Sequence, residues 1–235
     1  MPIESSLPAL VQALKTSGRA VLQAPPGAGK TTKVPLALLA QANLPGKIIM
    51  LEPRRVAARA SAERMAQMLG EEVGQTVGYR VRGGSKTSPS TRIEVVTEGI
   101  LTRMLQSDPE LPGISAILFD EFHERALTAD LGLALSLEAR DTLRPDLWLL
   151  VMSATLDAAP VAKLLGDAPM ITSEGRAFPV DTRFLEKPRG SGADRFDRLC
   201  ADTADLVRKA LAETEGGVLF FLPGAGEIRR TSDLL

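Results

Sequence analysis

The sequence predicts an α/β fold built on a mostly parallel, doubly wound sheet. Three observations carry that prediction. Short apolar runs alternate with helical stretches, and several of the runs are apolar almost without interruption. A glycine-rich, cationic loop, GAGKTT (27–32), joins the first run to a helix. Near-continuous apolar runs suit strands covered on both faces, and alternation with helices is the rhythm of parallel βαβ units.

The predicted strands are AVLQA (20–24), KIIML (47–51), RIEVV (92–96), AILFD (116–120) and LWLLVMSA (147–154). Helices fall at 54–69, 98–106 and 126–140, and another starts as the glycine loop ends. Pro35 inside that helix removes the bond to the Thr31 carbonyl, costing ~3 kcal/mol, and predicts a kink. This rhythm assigns 1–173 to a first domain. It weakens in SEGRAFPVDTRFLEKPRGSGAD (173–194), rich in Gly, Pro and charge, so 174–194 reads as a connector with one strand at 180–185. A helix at 195–213, a strand GVLFFLP (217–223) and a helix from Ala225 follow. These are too few to close a sheet, so 195–235 reads as the beginning of a second domain, truncated.

Composition bounds the function. Hydrophobic residues make up 44% and charged residues 24% of 235, ordinary values for a globular chain with a core. No apolar run approaches the ~20 residues that span a bilayer, so no membrane is expected. The N-terminus MPIESSLPAL lacks the basic region of a signal peptide. A single cysteine, Cys200, fits a reducing cytoplasm. Net charge is −1, against a simple basic nucleic-acid binder. Yet Lys47 to Met104 holds ten Lys/Arg against six Asp/Glu. That excess suits an anion-facing patch or a merely solvated surface.

The GAGKTT loop reads as a phosphate loop. Backbone N–H groups from Gly27, Ala28, Gly29, Lys30, Thr31 and Thr32 can converge where a helix N-terminus adds positive partial charge. Gly27 and Gly29 permit angles and approaches that a Cβ would block. Lys30 can neutralise β- and γ-phosphate oxygens, and Thr31 can ligate Mg²⁺. The full pattern begins with Gly where this chain has Ala24.

Such a loop needs a carboxylate at a neighbouring strand end to hold the Mg²⁺ hydration shell. AILFDEFHER (116–125) supplies Asp120 for that role and Glu121 to orient or deprotonate the attacking water. His123, the one histidine, lies two residues after the acids, where it can couple them to a neighbour. A nucleotide phosphate chain and Mg²⁺ are therefore the expected ligands.

At these residues the chain resembles a known family. DEFH (120–123) is similar to the DEAH signature of superfamily 2 helicases, with Phe122 where Ala is usual. GAGKTT, LEPRRVAARA (51–60), VTEGILTRML (96–105), SAT (153–155) and VLFFLPGAGEI (218–228) resemble motifs I, Ia, Ib, III and IV in order. Within the DEAH/RHA helicases, HERALTADLGLALSLEAR (123–140) resembles the bacterial HrpB-type branch.

The resemblance implies a RecA-like P-loop NTPase domain followed by the start of a second RecA-like domain. It implies an ATP-dependent helicase acting on single-stranded nucleic acid, RNA favoured over DNA. Arg54 and Arg55 in motif Ia, and Thr97 and Arg103 in motif Ib, would face the strand. Guanidinium groups pair phosphates well, and PRR begins a helix. Arg64 falls where the family stacks an arginine on adenine. Ser153 and Thr155 would couple hydrolysis to domain movement, and Arg80 and Arg82 resemble a loop that touches RNA. Motifs V and VI, with the family's arginine fingers, do not occur in these residues, which implies a piece of a larger helicase. A nucleotide-dependent binding module with little turnover is the alternative. A P-loop kinase or transporter ATPase is disfavoured, because neither LSGGQ nor an arginine-rich lid occurs. Phosphate contacts alone read RNA and DNA alike and set neither polarity nor oligomeric state.

Overall fold

In the computed structural model, which describes residues 2–154, 158–174, 180–184 and 195–235, the apolar runs before residue 173 all lie inside one sheet. Chain order is α1 (Leu7–Ser17), β1 (Arg19–Gln23), α2 (Lys30–Gln41), β2 (Lys47–Leu51), α3 (Arg55–Leu69), β3 (Val77–Val81), β4 (Gly84–Lys86), β5 (Ile93–Val96), α4 (Glu98–Ser107) and β6 (Ile114–Phe119). There follow a one-turn 3₁₀ helix (Phe122–Glu124), α5 (Leu127–Thr142), β7 (Trp148–Ser153), α6 (Ala159–Leu164) and β8 (Met170–Thr172). The strands pair in the order β4-β3-β5-β2-β6-β7-β1-β8, all parallel except the β3–β4 hairpin.

Side-chain alternation makes this sheet doubly wound. Leu22, Met50, Leu118 and Met152 point to one face, where they pack with Leu14, Leu38 and Met65 of α1, α2 and α3. Their neighbours Val21, Leu51, Phe119 and Val151 point to the other, against Leu101, Leu133 and Ala162 of α4, α5 and α6. Strands buried on both faces are apolar at nearly every position, Glu94 of β5 being the ion-paired exception, which is why these runs were readable. Each such Leu or Phe contributes roughly 1.5–3 kcal/mol by burial.

The predicted strands are five of the six interior ones. The strands not predicted, β3, β4 and β8, are short or broken by Gly and charge. Gly78 in β3 has a structural reason: a Cβ there would lie 2.4 Å from the Lys86 carbonyl oxygen across the hairpin. Pro35 is accommodated within α2 and its ring is buried.

The chain divides into two compact units, Met1–Ala177 and Phe178–Leu235. In the second unit, α7 (Arg195–Glu213) packs on α8 (Ala225–Leu234), burying Cys200, Val207 and Thr231. Two expectations fail there. Residues 217–223 form no strand, and neither do 180–184; residue 185 lies outside the described residues. Strands require partners, and none exists among the described residues of this unit. Most of the expected connector, 175–179 and 185–194, also lies outside them.

Candidate active site

The parallel strands bring their C-terminal ends to one edge. Gln23 pairs with Ser153, Val151 with Phe119, and Phe119 with Leu51, so the residues that follow β1, β6 and β2 emerge side by side. Ligands gather at this edge in open α/β sheets.

After β1 the chain turns, with the Ala28 N–H donating to the Pro25 carbonyl (3.2 Å). That bond occupies one N–H of the expected cradle. Gly27 and Gly29 have φ of +76° and +96°. A Cβ on Gly27 would meet nothing within 4 Å, so this glycine is required for its backbone angle and not for space. Gly29 starts α2 without a side-chain cap, leaving the N–H groups of Lys30, Thr31 and Thr32 without intrahelical acceptors. Those groups and the helix dipole favour an anion.

Lys30 is the first residue of α2 and is buried; its ammonium donates to Glu121 Oε1 at 2.6 Å. Asp120 Oδ1 accepts the Glu121 N–H (2.9 Å). Its other oxygen, Oδ2, is buried with no hydrogen-bond partner among the described residues. Burial pushes the Asp120 carboxyl above its ordinary range, while the Thr31 hydroxyl and Lys30 ammonium act against it. A buried carboxylate oxygen without a hydrogen bond of its own, beside a threonine hydroxyl, suits a hard cation. The residues fit Mg²⁺.

Glu121 adopts a left-handed backbone (φ +50°) and starts the 3₁₀ turn. His123 bridges two strand ends: its Nδ1 accepts the Ala154 N–H (3.4 Å), and its Nε2 lies 3.4 Å from Glu121 Oε2. With Nδ1 accepting, a neutral imidazole carries its proton on Nε2, facing Glu121. Ser153 is buried, and its carbonyl accepts the Ala24 N–H (3.0 Å). Thr155 lies outside the described residues. Phe122 is buried edge-on to Phe119, with centroids 6.2 Å apart. The aromatic ring where the family signature has Ala thus belongs to the core and leaves both acids in place.

The candidate strand contacts are less gathered. Arg55 and Arg103 are exposed, and Thr97 is the half-buried N-cap of α4. Arg54, the N-cap of α3, reaches Glu124 at 2.8 Å. Arg64 is exposed on α3 and makes no hydrogen bond or ion pair among the described residues. Arg80 donates through Nε to the buried carboxylate of Glu94 (2.6 Å) with its side chain 43% exposed, while Arg82 is exposed.

Two acids were missed. Glu52 ends β2 as Asp120 ends β6, and is buried. Burial, followed by the charges of Asp120, Glu121 and Glu124, pushes its carboxyl up to about 8, against the pull of Lys30. Glu124 ends the 3₁₀ turn. A strand-end acid rule applied to LEPRR as it was to LFDEF would have found Glu52.

The comparisons with known proteins agree with this geometry. The DEAD/DEAH box helicase family model matches residues 7–164. The whole chain is 50% identical to the ATP-dependent RNA helicase HrpB of Escherichia coli strain K12, covering 28% of that protein. It is 34% identical over 238 residues to the probable ATP-dependent RNA helicase DHR2 of Saccharomyces cerevisiae, covering 32% of it. A crystal structure of the E. coli DEAH/RHA helicase HrpB superposes with a TM-score of 0.87 over 99% of the chain and 29% of that structure's chain. The chain thus spans about a third or less of each of these relatives. With the glycine loop, the DEFH acids and the parallel sheet in register, the chain belongs to the DEAD/DEAH box helicase family.

Proposed function

We propose that the chain is the ATP-binding motor domain of an ATP-dependent RNA helicase, with 1–173 as the first RecA-like domain, 174–194 as connector and 195–235 as the start of the second. The observation that carries this reading is the meeting of Lys30 and Glu121, from loops after two different strands, beside an uncapped helix N-terminus. Relatives named as ATP-dependent RNA helicases favour RNA over DNA as the polymer. A cytoplasmic setting accords with one cysteine in 235 residues.

The roles follow from chemistry. The N–H groups of Gly27 and of Gly29 to Thr32, with the Lys30 ammonium, bind phosphates, while the Ala28 N–H stays committed to the Pro25 carbonyl. Thr31 and Asp120 would hold Mg²⁺, which supplies charge neutralisation at the phosphates when bound with ATP. Glu121 orients the attacking water and accepts its proton, and His123 links that carboxylate to the strand end at Ser153–Ala154. Arg64 stacks on the base; Arg54, Arg55, Thr97 and Arg103 hold the strand; Ser153 and Thr155 transmit closure. Transition-state charge on the γ-phosphoryl group needs arginines from an opposing face. These residues alone should therefore hydrolyse ATP at least ~10³-fold more slowly than a protein with both motor domains.

The test is Glu121→Gln in the full-length protein. It keeps the shape and loses the base, so ATP·Mg²⁺ should still bind while RNA-stimulated turnover drops about 10²–10⁴-fold. Near-parental turnover would remove Glu121 from the water-activating role.

A further inference from the structure

Glu124 and Arg54 connect the nucleotide pocket to the surface expected to meet the strand. We propose that Glu124 is a positioning residue that holds Arg54 away from nucleic acid until a strand phosphate displaces it. The inference rests on the reading of Arg54 as a phosphate contact.

Both ends of this link are anchored. Glu124 shares a single turn with Glu121: its N–H donates to the Glu121 carbonyl (2.9 Å), and the Arg125 N–H closes the turn on the Phe122 carbonyl (3.2 Å). The residues flanking that turn, Glu121 and Arg125, have φ of +50° and +52°, so its direction is set by the backbone. On the other side, the loop that carries Arg54 is pinned by two bonds. The Glu52 N–H donates to the Val96 carbonyl (2.9 Å), and the Leu51 carbonyl accepts the Asp120 N–H (3.1 Å).

The link itself is exchangeable. Arg54 is 72% exposed and Glu124 33%, and one guanidinium nitrogen meets one carboxylate oxygen at 2.8 Å. Exposed pairs of this kind contribute little and break easily. A phosphodiester offers the same charge and can accept two parallel N–H bonds from the fork. It arrives at the N-terminus of α3, whose free N–H groups also favour anions. When a phosphate takes Arg54, the Glu124 carboxylate loses its cation one turn away from Glu121. Strand occupancy thereby alters the charge beside the water-activating acid through a single side-chain exchange.

The experiment measures affinity of the full-length protein for a fluorescein-labelled single-stranded oligouridylate, across a salt series, with E124Q, R54A and the double variant. E124Q should bind about two- to fivefold more tightly, because it removes a competitor for Arg54. That gain should vanish in the R54A background. A merely structural role for Glu124 predicts weaker binding in both backgrounds, and either that result or an unchanged affinity for E124Q overturns the inference. If R54A itself leaves affinity and salt slope unchanged, the phosphate-contact reading of Arg54 fails instead. Should E124Q not fold, Glu124→Ala carries the same test with the same expected direction.

Discussion

Two helix N-termini stand at the same sheet edge, and each presents a cation to a glutamate of the same 3₁₀ turn. At α2, Lys30 is 4% exposed and lies 2.6 Å from Glu121. At α3, Arg54 is 72% exposed and lies 2.8 Å from Glu124. The pairings are alike in distance and opposite in environment. A buried cation that loses its partner is costly to leave alone, so Lys30 demands one well-defined anion in a fixed place. An exposed cation changes partners at little cost, as contact with successive phosphates of a sliding polymer requires. On the proposed roles, burial decides which kind of phosphate each helix start would serve.

The largest effect should come from the buried side. Lys30→Ala removes the cation proposed to face the phosphates, and nucleotide affinity should fall by about 10³-fold in calorimetric titration, close to 4 kcal/mol. Unchanged affinity would dissolve the contrast between the two helix starts.

Glu52 sharpens the same contrast through pH. Its folded carboxyl lies at about 8 against an ordinary 4.5, so the native state binds a proton that the unfolded state releases. Stability from this group is fully present below pH 4.5 and is lost as pH rises towards 8. Between pH 5 and 7 the loss amounts to about 2–3 kcal/mol. Glu52→Gln, which cannot ionise, should remove that slope from urea-unfolding measurements and exceed the parent in stability at pH 7. Parallel pH profiles for the two proteins would show that Glu52 is not the responsible group.

The smallest effect belongs to the exposed side. Replacing Arg54 and Arg55 with Ala should weaken single-stranded RNA binding by about tenfold and flatten the salt slope by roughly 1.4 for two phosphate contacts. ATP affinity should stay within about twofold, because neither arginine reaches the phosphate loop. A matching loss of ATP affinity would mean that the two helix starts do not act separately.

Legibility from sequence followed burial as well. Strands such as KIIML and AILF were readable because both faces are covered; Lys30 was readable because a glycine turn precedes it at a helix start, and Asp120 and Glu121 because local spacing places them just after a strand. GVLFFLP is as apolar as either strand, yet Leu219 and Phe221 are 79% and 88% exposed and unpaired. An apolar run reports what a segment can bury, not which neighbour will pair with it. Glu52 escaped notice because its burial is created by loops distant in sequence, and its own surroundings, EPRR, read as basic. The ion pair of Arg80 with Glu94 was not legible either, because Glu94 reaches it from the adjacent β5.

The sheet's outer strands bear on how the molecule behaves in a crowd. Interior parallel strands exposed at an edge would offer a row of free amides and carbonyls on which another copy could build. Among the described residues the sheet instead ends in β4 and β8, each three residues long, about 10 Å of pairing surface. β4 runs antiparallel to its neighbour and carries the exposed Ser85 and Lys86. Three rungs give an incoming strand few bonds to offset the entropy of ordering it, and at β4 the Lys86 charge opposes pairing further. Among the described residues, the sheet therefore ends in poor templates for edge-to-edge growth.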